Sequence, residues 1–149
     1  MKRFVVWLAA AFVPAAIGAA FPAPAYYRGL RKPAWAPPPW LFGPVWTILY
    51  VLMAVAAWMV VRRGGPGARP ALALWGGQLA LNAVWTPIFF GLRSPGAALV
   101  EIAALWGAVV MTIAAFATRR AAAAALLLPY LAWVSFAAAL NVAIWRRNR

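Results

Sequence analysis

The chain has 149 residues, 67% of them hydrophobic and 10% charged. A soluble domain carries about 25% charged residues, so this composition cannot dress a water-facing surface. With no Cys and no His, disulfides, zinc sites, Cys nucleophiles and His-based acid–base catalysis are excluded, and a haem iron would lack its usual ligands.

Net charge is +13, from 14 basic residues against one acid. The basic residues do not form one patch, as nucleic-acid binding would require. They fall in pairs at the ends of apolar stretches: Lys2-Arg3, Arg31-Lys32, Arg62-Arg63, Arg119-Arg120 and Arg146-Arg147. Lys and Arg at those positions reach anionic headgroups while their stems stay in the apolar layer. Membrane lipid is the expected partner, and nucleic acid is not.

A hydrocarbon core about 30 Å thick takes about 20 helical residues to cross. The expected architecture is all-α: a single domain over residues 1–149, a bundle of five transmembrane helices with a Pro/Trp-rich loop between the first two. Span 1 is expected at about 4–21, with Pro14 and Gly18 tolerated inside it. Its basic start and the Ala23-Pro24-Ala25 tripeptide also suit a signal peptide. A run of about 18 apolar residues is long for a signal core, which favours a retained span. The connector from 22 to 42 is proline-rich. Pro37, Pro38 and Pro39 cannot be helix interior, so an extended, stiff segment is expected, with one short helical turn near Tyr26 to Leu30. Span 2 follows at about 43–62, with Pro44 in its first turn. Gly64-Gly65-Pro66-Gly67 breaks the chain before span 3 at about 70–90, which Pro87 should kink. Spans 4 and 5 are expected at about 96–118 and 121–146. The basic residues divide seven to seven between the two faces, so the positive-inside rule assigns no orientation.

Trp is the outstanding residue type, with ten copies. Trp7, Trp35, Trp40, Trp58 and Trp145 lie near span ends, where indoles form an interfacial belt. Trp46, Trp75, Trp85, Trp106 and Trp133 lie deeper, where an indole N–H needs a partner. Trp46 and Tyr50 share a face of span 2, Asn82 and Trp85 a face of span 3, and Tyr130, Trp133, Phe136, Ala137 and Asn141 a face of span 5. Such stripes serve either as helix–helix glue or as the walls of a cavity for a flat, mostly apolar ligand. Glu101, the sole acid, stands about 9 Å past Pro95 along span 4. It must face the bundle, as a structural hydrogen-bonding group or a ligand-orienting one. One acid cannot supply paired-carboxylate chemistry. Small residues four apart, Ala16/Ala20, Ala73/Gly77 and Gly76/Ala80, permit a homodimer through helices 1 and 3.

The stretch Lys32-Pro33-x-Trp35-x-Pro37-Pro38-x-Trp40-x-Phe42-x-Pro44-x-Trp46-Thr47-x-Leu49-Tyr50 resembles the first signature block of the TspO family, the tryptophan-rich sensory and translocator (peripheral benzodiazepine receptor) proteins. Three further blocks agree: Gln78-Leu79-x-Leu81-Asn82-x-x-Trp85-x-Pro87-x-Phe89-Phe90, Ala98-Leu99-Val100-Glu101, and Pro129-Tyr130-Leu131-x-Trp133-x-x-Phe136-Ala137-x-x-Leu140-Asn141-x-x-Ile144-Trp145. The resemblance implies five membrane helices, a bacterial inner-membrane location, dimers, and binding of tetrapyrroles such as protoporphyrin IX or haem as ligand, with no obligatory cofactor and no metal site. It implies a pocket beneath the first connector, walled by Tyr27, Trp35, Pro38, Trp46, Asn82, Trp85, Glu101, Trp133 and Ala137, with no residue assigned a catalytic role. Trp46 and Trp133 fall where similar proteins place indoles linked to light-dependent porphyrin breakdown. Arg28, Arg31 or Lys32 on the connector could pair with porphyrin carboxylates. Light-dependent degradation and sterol or lipid translocation are the alternatives to sensing, transport or sequestration. The sterol-contact pattern lacks its tyrosine in Leu140-Asn141-Val142-Ala143-Ile144-Trp145-Arg146.

Overall fold

A computed structural model describes residues 2–22 and 24–149. These residues are helices and turns, with no strand among them. Eight α-helices succeed one another: α1 (Lys2–Ala11), α2 (Val13–Ala19), α3 (Pro24–Gly29), α4 (Phe42–Arg63), α5 (Ala68–Thr86), α6 (Pro95–Arg119), α7 (Ala121–Leu126) and α8 (Leu128–Asn148). Three helical stretches are long and apolar enough to cross a membrane: Pro39–Arg63, Pro95–Arg119 and Ala121–Asn148. The chain is a helical membrane protein.

Prolines set most of the interruptions. The stretch expected as span 1 divides at Phe12, because Pro14 has no N–H to continue the helical ladder. Phe12 N–H is shared between the Leu8 and Ala9 carbonyls, 3.2 Å from each, and the helix resumes from Phe12 O to Ala16 N at 3.1 Å. The stretch expected as span 5 divides in the same way at Leu127, two residues before Pro129. After Thr86 the chain widens into a π-turn over Pro87–Gly91, closed by Leu92 N–H to Pro87 O at 2.9 Å. At the far end of that turn, the Ser94 hydroxyl caps α6 by accepting from Ala97 N–H at 3.2 Å.

In the connector, the short helical turn runs over Pro24–Gly29, and Pro39 opens a 3-10 turn over Pro39–Leu41 that feeds directly into α4. Pro33 is buried. Asn148, at the end of α8, pins the connector from both sides: its Oδ1 accepts from Arg31 N–H at 3.0 Å and its Nδ2 donates to Arg31 O at 2.9 Å.

The first rod lies against α4 through α1 and against α5 through α2. α5 packs on α6, α6 on α8, and α4 on α7. Met53, Ala54, Ala56, Ala57 and Val60 give α4 a fully enclosed face, on which small and flexible side chains let neighbouring helices approach. A larger buried cluster fills the half of the bundle nearer the α4–α5 turn. A smaller one, around Phe89, Ala98, Leu140 and Ile144, lies under the connector.

The α4–α5 turn is held by a single arginine. Arg119 Nη2 donates to Gly64 O at 2.7 Å. Its guanidinium lies so near Gly65 and Gly67 that a Cβ on either would come within 2.7 Å of a guanidinium nitrogen. Gly65 also has φ +89°, a conformation that L side chains resist. Gly65→Ala is therefore expected to lower stability by about 1–2 kcal/mol. Gly107→Ala, in α6 with nothing within 4 Å of the new methyl, should cost nothing. Thermal unfolding of the two variants in the same detergent checks the contrast.

Candidate functional site

A cavity of about 490 Å³ lies between the connector and the centre of the bundle. α2 and the residues after it contribute Gly18, Phe21 and Pro22, and the connector contributes Tyr27 and Pro39. Phe42 and Trp46 come from the first turns of α4, and Asn82, Trp85 and Phe89 from the end of α5 and its π-turn. Ile102 and Leu105 come from α6, and Trp133, Ala137 and Asn141 from α8.

Aromatic rings interlock around this space. Trp46 stacks on Tyr50 with centroids 5.4 Å apart and 26° between planes, and meets Trp133 edge-on at 6.5 Å. Trp85 stacks on Phe89 at 4.8 Å and 21°. Phe42 links the two sides, edge-on to Trp133 at 5.9 Å and to Tyr27 at 6.4 Å. Each such pair contributes about 0.5–1.5 kcal/mol beyond the area it buries, so the wall is a preformed surface.

The floor is polar and closed on itself. Tyr50 Oη donates to Asn82 Oδ1 at 3.1 Å, Asn82 Nδ2 donates to Tyr130 Oη at 2.8 Å, and Tyr130 Oη donates to Gln78 Oε1 at 2.8 Å. These bonds tie α4, α5 and α8 together at one depth. Beside the cavity, Trp85 Nε1 donates to Asn141 Oδ1 at 3.1 Å, and Asn141 Nδ2 donates to Pro95 O at 2.8 Å. The hydrogen-bonding capacity of Asn82 and Trp85 is thus largely spent inside the protein. Two buried polar atoms of the wall differ: Tyr27 Oη and Trp133 Nε1 have no partner among the described residues. Burial raises the pKa of the Tyr27 phenol, so it stays a neutral donor.

Of the nine residues that the resemblance nominates, Tyr27, Trp46, Asn82, Trp85, Trp133 and Ala137 line the cavity. Three stand outside its lining. Trp35 is half exposed and meets Phe136 edge-on at 5.7 Å, behind Trp133. Pro38 is exposed, and its neighbour Pro39 takes the wall position at the start of the 3-10 turn. Glu101 is only 9% exposed and neither carboxyl oxygen has a partner among the described residues, yet the wall of α6 is Ile102 and Leu105. Glu101 stands one turn before Leu105, so it is beside the lining without being part of it. Lys32 is otherwise engaged. Its Nζ donates to the Tyr27 and Leu30 carbonyls at 2.7 and 3.2 Å and stands 4.7 Å from the centre of the Tyr27 ring. It closes the C-terminal end of α3 and holds Tyr27 in place. Phe42 and Phe89 were not nominated. Phe89 sits four residues after Trp85 on the same face, the spacing that could have found it.

A helical membrane protein with an aromatic cavity near one face is thus defined. The TspO/MBR family model matches residues 4–146, and the chain belongs to that family. It is 45% identical over 126 residues to a translocator protein of Homo sapiens (83% of this chain, 75% of the relative). It is 46% identical over 129 residues to the tryptophan-rich protein TspO of Chlorobaculum tepidum (85% and 82%). Over 150 residues it is 38% identical to the protein CrtK of Rhodobacter capsulatus (99% and 94%).

Tyr130 is the one group in the floor that both accepts from Asn82 and donates to Gln78. Interhelical hydrogen bonds in membranes average about 0.6 kcal/mol and reach about 1.7, so Tyr130→Phe should cost about 1–2 kcal/mol. Equilibrium unfolding in mixed detergent measures the loss, and Phe136→Leu, away from the network, is the reference.

Proposed function

We propose that the cavity binds a porphyrin or related tetrapyrrole, and that the protein senses, moves or sequesters that ligand within a membrane. The observation that carries the reading is the convergence of Trp46, Trp85 and Trp133, from three different helices, on one space of about 490 Å³. Small-molecule sites run from about 300 to 1,000 Å³ and are mostly apolar with a few oriented polar groups. A tetrapyrrole is flat, aromatic and edged with carboxylates. Indole faces suit its plane, and the unpartnered Tyr27 Oη and Trp133 Nε1 are two donors suited to its polar edge. Arg28 and Arg31, on the connector over the cavity, are the basic groups nearest in sequence for the carboxylates. Lys32 acts on Tyr27 instead, for the reason given above.

The same reading has α1 with α2, α4, α5 with its π-turn, α6, and α7 with α8 as five spans of a bacterial inner membrane. It has a second copy of the chain on α5, where Ala73, Gly76, Gly77 and Ala80 are exposed and offer the close backbone approach that membrane helices use to pair.

Removal of two stacking rings should weaken binding by at least about tenfold, since each is worth roughly a kcal/mol. Trp46→Ala with Trp133→Ala is therefore expected to raise the Kd for protoporphyrin IX by that factor, measured by quenching of tryptophan fluorescence in detergent. An unchanged affinity in a folded double variant overturns the assignment of the pocket.

A further inference from the structure

A second hollow, of about 610 Å³, opens at the opposite face of the bundle. Its lining is Trp58 and Met59, one turn inside the end of α4, with Arg62, Arg63 and Arg120 above them. We infer that this hollow is a binding site for the phosphate of an anionic phospholipid.

Charge is the first argument. Three guanidinium groups share one concavity, with Arg119 beside them, and the chain has no acid with which to neutralise them. Its only acidic side chain, Glu101, stands eighteen residues before Arg119 on the same helix, roughly 27 Å away along the axis. That exceeds the screening length of about 8 Å in physiological salt, so the cluster needs an outside anion. A planar guanidinium presents paired N–H donors that fit a phosphate better than a point charge does.

Depth and shape identify which anion. Arg62 and Arg63 form the last turn of an apolar helix of 22 residues, which puts their heads at headgroup level. The Arg62 guanidinium stands 5.9 Å from the centre of the Trp58 ring, and Phe4 meets the same ring at 6.2 Å. The hollow therefore has a cationic rim over an aromatic and thioether floor, suited to a phosphate with acyl chains attached. A zwitterionic lipid would bring its ammonium into a field of like charge.

The site is also held open. Arg119 is taken up by Gly64 O and so fixes the α4–α5 turn, while the backbone of Arg120 is extended (φ −158°, ψ 118°) between α6 and α7. Neither Arg63 nor Arg120 has a side-chain hydrogen bond or ion pair among the described residues. Other basic groups are differently placed: Arg93 lies over Tyr26 and Arg149 over Trp145.

Native mass spectrometry of the detergent-purified full chain tests the inference, with phosphatidylglycerol, phosphatidylcholine and inorganic phosphate as probes. The wild type should retain one phosphatidylglycerol per chain in preference to the other two. Each basic group at an anionic surface is worth roughly a fivefold factor, so R62Q/R63Q/R120Q should weaken retention by about a hundredfold. R146Q/R147Q, at the other end of the bundle, should behave as wild type. R120Q alone, on an exposed residue between helices, should show about a fivefold loss and carries the test if the triple variant does not fold. Equal retention of phosphatidylcholine, an equal loss in R146Q/R147Q, or inorganic phosphate bound as tightly as the lipid overturns the assignment.

Discussion

Nothing inside a bilayer replaces a lost hydrogen bond, so every polar side chain at depth must find its partner within the protein. While Trp133 Nε1 and the Glu101 carboxyl stay unpartnered among the described residues, that demand is met at mid-bundle by the run from Tyr50 through Asn82 and Tyr130 to Gln78. Its members come from α4, α5 and α8, and none can turn away without stranding another. The network therefore fixes the rotation of three helices about their own axes. Once those rotations are set, the residues one turn nearer the connector follow: Trp46 before Tyr50, Trp85 after Asn82, Trp133 after Tyr130. The aromatic wall is thus a geometric consequence of the polar floor.

The connector closes the space by similar means. It has no regular ladder of its own, and its order comes from proline stiffness and from borrowed partners. Asn148 holds Arg31 through two hydrogen bonds, and Lys32 gathers the carbonyls at the end of α3. Tyr27 is consequently presented to the cavity by groups that are themselves anchored to α8.

Much of this was legible in the sequence because membranes permit few structures. Apolar length and the position of basic pairs set the boundaries of α4 and α6 to within a residue of those expected. Periodicity puts Trp46 with Tyr50, Asn82 with Trp85 and Tyr130 with Trp133 on single faces of three separate helices. What escaped was local and tertiary at once. The π-turn at Pro87 requires an i to i+5 closure that no propensity signals. Trp35 and Pro38 lie in a stretch with neither helical nor strand period, so motif position could not say which way they face. Glu101 shows the limit of a motif on a helix: it stands one turn before Leu105 and is buried, yet α6 lines the cavity with Ile102 and Leu105.

The two ends of the bundle answer the same chain composition in opposite ways. Under the connector, the basic residues are drawn into caps and ring contacts, as Lys32 is on Tyr27, and aromatic side chains define an apolar space. At the α4–α5 turn, Arg119 is consumed by the backbone and Arg62 lies over Trp58, while Arg63 and Arg120 have no side-chain hydrogen bond or ion pair among the described residues. An uncompensated charge cluster is costly to assemble without counter-ions, while an empty apolar cavity forfeits the dispersion contacts of its lining. On the proposed reading each end would be stabilised by what it takes up: a flat apolar guest at one, an anion at the other. Because α4 runs the whole distance between them, with a fully enclosed face from Met53 to Val60, any rigid-body shift of that helix moves Trp46 and Arg62 together.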